Sequence, residues 1–104
     1  MKSNPKIRNA TREGWVHELE RSVNVAVELL AGLVRELGPR GAFGRSGPEH
    51  LLVHTVLAEA FRSGGSVALD AIVRRLARRL NGLDPDGEAL EALMGRIVDL
   101  TRKG

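Results

Sequence analysis

The chain contains no cysteine and no tyrosine. The first absence excludes disulfides, thiolate nucleophiles and cysteine-based zinc sites together, and it suits a reducing compartment. Aromatic residues amount to 3%: Trp15, Phe43 and Phe61. The core is therefore expected to be aliphatic, built from Leu, Val, Ile and Ala. Apolar stretches are broken by charges well short of the ~18 residues that a membrane-crossing helix needs, so no membrane contact is expected. The opening Met1-Lys2-Ser3-Asn4-Pro5-Lys6 is polar with no apolar run behind it. No secretory signal is expected from it, and the expected location is cytoplasmic. No stretch alternates apolar and polar residues for long enough to make a strand.

What is present reads as helix. The 104 residues, 42% apolar and 28% charged, fit one globular domain. Residues 1–11 are expected to form a flexible basic arm, because Asn4-Pro5 and Asn9 favour coil. Residues 12–104 are expected to form a single helical domain. A long first helix from about residue 12 to Leu37 is predicted by Val16, Leu19, Val23, Ala26, Leu30, Leu33 and Leu37, which alternate spacings of three and four. Val27 and Val34 widen that stripe, and Gly38-Pro39 ends it. A second helix is expected from Pro48, suited to a first helical position, to about Arg62, with Leu52, Val53, Val56, Leu57, Ala60 and Phe61 on one face. Ser63-Gly64-Gly65 stops it. A third runs from Val67 to about Asn81, burying Leu69, Ile72, Val73, Leu76, Ala77 and Leu80. A fourth starts at Asp84-Pro85 with Asp84 as N-cap and turns Leu90, Leu93, Met94, Ile97 and Val98 inward. The expected fold class is all-α: a compact bundle of about four helices with a long first helix.

Charge is the most informative remaining feature. The net charge is +3, but its distribution is uneven. Positive charge gathers in the arm, in the Gly-rich loop 38–48 and in the third helix, and 13 of the 16 basic residues are Arg. Guanidinium groups bind phosphate in a fork geometry. Arg74, Arg75, Arg78 and Arg79 are spaced to occupy one sector of the third helix, opposite its apolar stripe. Asp70 can pair with Arg74 one turn along, and the others are expected to be free for a phosphate backbone. In the loop, Arg40 and Arg45 flank Phe43. That ring is either a stacking surface for single-stranded nucleic acid or, as preferred here, a core residue. Lys6 and Arg8 in the arm add further phosphate contacts.

Other constellations are weaker. His50 and His54 share a helical face, but two histidines do not make a metal site. Asp84-Pro85-Asp86-Gly87 places Gly82 and Leu93 where a calcium loop needs oxygen ligands. No nucleophile–base arrangement or phosphate-binding Gly motif is present, so no catalytic residue, cofactor or metal is expected. The glutamates of the first helix read as a solvated face.

The leading expectation is a non-catalytic, nucleic-acid-binding small subunit. It contacts the phosphate backbone through its Arg-rich helix face, with RNA or single-stranded DNA favoured over duplex. Its size and architecture are those of small helical subunits in RNA-guided effector ribonucleoprotein assemblies, an analogy of architecture alone. The alternative is a protein–protein adaptor or self-associating module using Val16, Leu19, Val23, Leu30 and Leu33 of the first helix as its interface. A helix-turn-helix DNA-binding regulator stands third. Its objection is that the arginines lie late in the would-be recognition helix.

Overall fold

The computed structural model describes the backbone of residues 5–44 and 47–103, and side chains over 19–44 and 47–102. All regular structure among the described residues is α-helical, in three elements: α1 (Pro5–Ala42), α2 (Pro48–Leu80) and α3 (Glu88–Lys103). The all-α class holds, but the count is three rather than about four. The expected second and third helices form one element, α2, in which only Gly65 leaves helical φ/ψ, at φ 62° and ψ −153°.

That single residue still redirects the chain. Upstream of it, α2 runs antiparallel to α1: Thr55 and Val56 share a groove with Leu29, and Glu59 shares it with Arg21. Gly64 lies under Leu19. Downstream, Arg75 reaches Glu20 and Asn24 while Arg79 reaches Glu28, so this part runs parallel to α1. We call the two parts the first and second arms of α2. In α3, Glu88 is beside Arg40, and the later residues Ile97 and Thr101 line a groove with Ser66 and Leu69 of the second arm. Thus α1, the two arms and α3 run alternately up and down, as short connections favour.

α1 begins at Pro5, so residues 5–11, expected as an arm, are helical backbone; residues 1–4 lie outside the described residues. Gly38, at φ 80°, breaks α1 where Gly38-Pro39 predicted an end. A further turn then delivers Ala42 and Phe43 into the core, which is why the Phe43 ring is not a free stacking surface. The last helix starts at Glu88, later than Asp84-Pro85 suggested. Asp84 still caps it, accepting from the Ala89 N–H at 2.9 Å and the Leu90 N–H at 3.2 Å. Two of the orphan amides of the first turn are satisfied in this way.

Leu30, Val53, Leu57, Ile72, Leu76, Leu80 and Leu93 are the large residues at the centre of the core. Each fully buried aliphatic side chain of this size contributes about 1.5–3 kcal/mol of transfer free energy. Five expected core positions are solvent-facing instead, among them Ala77 on the outer side of the second arm. Leu37 is in the last turn before the Gly38 break, and Leu52 lies on the outer edge of the first arm. Met94 and Val98 are the instructive pair. The inward stripe of α3 is Ala89, Leu93, Arg96 and Leu100, at spacings of four and three, and it leaves Met94 and Val98 on the far side.

Candidate interaction surface

The arginine face of the second arm is assembled as expected along the helix, but it is not open. Arg75 donates from Nη2 to both carboxylate oxygens of Glu20 at 2.8 Å, and from Nη1 to Asn24 Oδ1 at 2.8 Å. Arg79 binds Glu28 in a bidentate fork, Nε to Oε1 at 2.7 Å and Nη2 to Oε2 at 3.0 Å. Arg74 pairs with Asp70. Only Arg78 shows no carboxylate partner among the described residues; it lines a shallow cleft with Arg75, Arg79, Asn24 and Asn81. Glu20 and Glu28 of α1, expected as part of a solvated face, are thus counter-charges of the arginines. Their forks clamp α1 to the second arm.

The pair of Arg79 with Glu28 alters the titration of both its members. The hydrogen bonds from Arg79 hold the Glu28 carboxyl below its ordinary value of 4.5; desolvation opposes them, and the charges of Arg79 and then Arg35 add to the lowering. The hydrogen bond to Glu28 likewise raises Arg79. Both groups are solvent-exposed, where a single pair contributes little to stability. What the bidentate geometry supplies is registry between two helices.

The remaining predicted phosphate contacts are dispersed. Arg40 binds Glu88 of α3, Nε to Oε2 at 3.0 Å, and the hydrogen bond to that glutamate raises the Arg40 pKa. Arg45 lies outside the described residues, and so do the side chains of Lys6 and Arg8. The interface residues expected on α1 are used inside the chain: Val23 and Leu30 are buried, and Leu19 and Leu33 pack against the core. The Val16 side chain lies outside the described residues.

Sequence reading missed Arg96. It is 7% exposed and donates to the carbonyls of His50 at 2.9 Å and Gly44 at 3.3 Å. A charged head bonded to two carbonyls fastens α3 to the chain on both sides of the α1–α2 connection. Its place in the inward stripe of α3, three residues after Leu93, is the signal that would have found it. The buried His50 Nδ1 has no hydrogen-bond partner. No group of three or more His, Asp or Glu side chains that could hold a metal ion occurs among the described residues.

Among the described residues, two apolar grooves between helices open to solvent. One, of about 520 Å³, lies between α1 and the first arm and is lined by Val25, Leu29 and Val56. The other, of about 510 Å³, lies between the second arm and α3 and is lined by Val67, Leu69, Val73, Met94, Ile97 and Val98. The second carries three well-exposed apolar side chains: Val67 at 71%, Met94 at 54% and Val98 at 49%. Single exposed aliphatics are ordinary, but a contiguous set marks an interaction site. No helix among the described residues is long and apolar enough to cross a membrane.

Comparison with protein-family models, with curated proteins and with solved structures finds no match to this chain.

Proposed function

We propose that the chain is a non-catalytic helical interaction module that presents the groove between the second arm of α2 and α3 to an apolar helix of a protein. The observation that carries this reading is the contiguity of Val67, Met94 and Val98 at the mouth of that groove. An amphipathic helix laid there would bury its i, i+3 and i+4 anchors against them, the general helix-in-groove mode. A photoreactive amino acid at position 67 tests it. In the cells that make the protein, irradiation should yield a covalent protein adduct at Val67, lost on Met94→Lys, and none from the same probe at Arg35. Absence of an adduct at position 67, or equal adducts at both positions, would overturn the reading.

A second reading, contact with a nucleic-acid phosphate backbone in a ribonucleoprotein assembly, is favoured by one observation. Arg78 lacks a carboxylate partner and lies in the same cleft as Arg75 and Arg79. On this reading phosphate competes with Glu20 and Glu28 for the arginine forks. Glu28 loses its charge only as the pH falls through its depressed pKa, and that loss frees Arg79. Anisotropy of single-stranded RNA, single-stranded DNA and duplex DNA over a salt series should then show binding that strengthens in acid and weakens steeply with salt. Glu28→Gln should bind more tightly at neutral pH and lose part of the pH dependence, and Arg78→Glu should bind less. No binding at low salt excludes this reading. Reversing Arg75 or Arg79 is a poorer test, because it sets carboxylate against carboxylate across α1 and the second arm.

A further inference from the structure

α3 has two faces that both look like interfaces. The inward one is buried against the bundle. The outward one carries Glu91, Met94, Val98 and Arg102 at spacings of three, four and four, on the side of the helix opposite Leu93 and Leu100. Its centre is apolar and half exposed, and its two ends have opposite charge. Neither Glu91 nor Arg102 has an ion-pair partner among the described residues, whereas Arg40, Arg62, Arg74, Arg75 and Arg79 each pair with a carboxylate.

Gly95 lies beside this face, and no contact within the chain requires its missing side chain. Its φ is not positive, and a Cβ built on it would meet nothing within 4 Å. Glycine in the middle of a helix is nonetheless unfavourable relative to alanine. A residue with that cost and no local reason is what a close approach by another backbone requires.

We infer that a second copy of this chain occupies the outward face, α3 packing antiparallel on α3 about a two-fold axis. In that arrangement Glu91 faces Arg102 of the second copy, and Arg102 faces Glu91 of the second copy. Met94 and Val98 meet their counterparts between them, and Gly95 lies at the crossing, where its missing side chain lets the helices close. A parallel arrangement would set like charges against one another at both ends. The antiparallel pair is isologous, so one patch supplies both halves of the interface. Val67, at the mouth of the adjoining groove, extends the apolar contact. The inference rests on the reading of this region as an interaction surface and names what it binds.

An acidic start and a basic end also suit the dipole of α3 itself, and charge reversal separates the two causes. Sedimentation equilibrium of the full chain over a wide concentration range should show a dimer. Glu91→Arg and Arg102→Glu should each weaken dimerisation by about tenfold or more, with unchanged helicity by circular dichroism. The double variant Glu91→Arg/Arg102→Glu should restore the dimer. A dipole effect alone would leave it worse than either single change. Gly95→Leu should give a monomer of normal helicity. A wild type that is monomeric throughout, or a dimer indifferent to both single reversals, overturns the inference. In the monomeric case, a photo-adduct of Val67 with a different protein would still support the interaction module. Loss of that adduct would remove both.

Discussion

Leu30→Ala is expected to lower the unfolding free energy by about 2–5 kcal/mol, by the same amount at every protein concentration. Leu30 is fully buried near the middle of α1. Removing its isobutyl group loses the transfer free energy of those atoms and leaves a cavity that the surrounding aliphatic side chains fill only in part. A domain of this size is stable by about 5–15 kcal/mol, so the truncation removes a large share of the total. Leu30→Asp goes further. It places a carboxylate among apolar side chains, where ionisation without a partner is prohibitive, and no cooperative thermal transition should remain. Concentration independence is the discriminating part. Were α1 a seam between two copies, the loss would depend on dimer concentration. Denaturant melts of Leu30→Ala at two widely separated concentrations make the measurement. A gap between the variant and wild-type midpoints that changes with concentration would place Leu30 in an intermolecular contact.

Much of this fold was legible because helical periodicity is local. The spacings of Val23, Ala26 and Leu30, of Val53 and Leu57, and of Leu69, Ile72 and Leu76 each pick out a buried side without knowledge of what covers it. The same argument fails where apolar residues are adjacent. In Leu93-Met94 and Ile97-Val98 either member could face inward, and the choice was made by Arg96, which a hydrophobic pattern leaves out. Chain reversal at Gly65 was signalled by Ser63-Gly64-Gly65, yet one residue outside helical φ/ψ suffices, so the second and third helices merge. The arginine face was legible as a face, but its pairing was not. Glu20 and Arg75, or Glu28 and Arg79, are more than fifty residues apart, and only the tertiary arrangement that sets α1 beside the second arm brings them together. Composition reports that both charges exist and says nothing of which meets which.

Gly64 and Gly65 should respond to substitution for different reasons, and the difference tests how the second arm is turned back along α1. At Gly65 the obstacle is conformation. Its φ of 62° with ψ of −153° lies in a region essentially reserved for glycine, and L-alanine there costs about 1–3 kcal/mol, although a Cβ would meet nothing within 4 Å. At Gly64 the obstacle is space. A Cβ would collide with Leu19 Cδ1 and lie 2.8 Å from Ala68 Cβ, so α1 and the turn could not keep their present separation. Gly64→Ala should therefore couple to Leu19→Ala in a double-mutant cycle, because shortening Leu19 makes room, whereas Gly65→Ala should be additive with it. The mirror image of the Gly65 conformation is close to polyproline II, a favourable basin for an L-residue. D-Alanine at position 65, introduced by chemical synthesis, should then fit without strain. It should raise stability above wild type by about 0.4–1 kcal/mol, because the unfolded chain has fewer conformations to lose. Thermal melts of the L- and D-alanine chains should displace the midpoint in opposite directions. Equal destabilisation by the two enantiomers would mean that space rather than backbone conformation selects glycine at position 65, and that the reversal depends on packing against Leu19 alone.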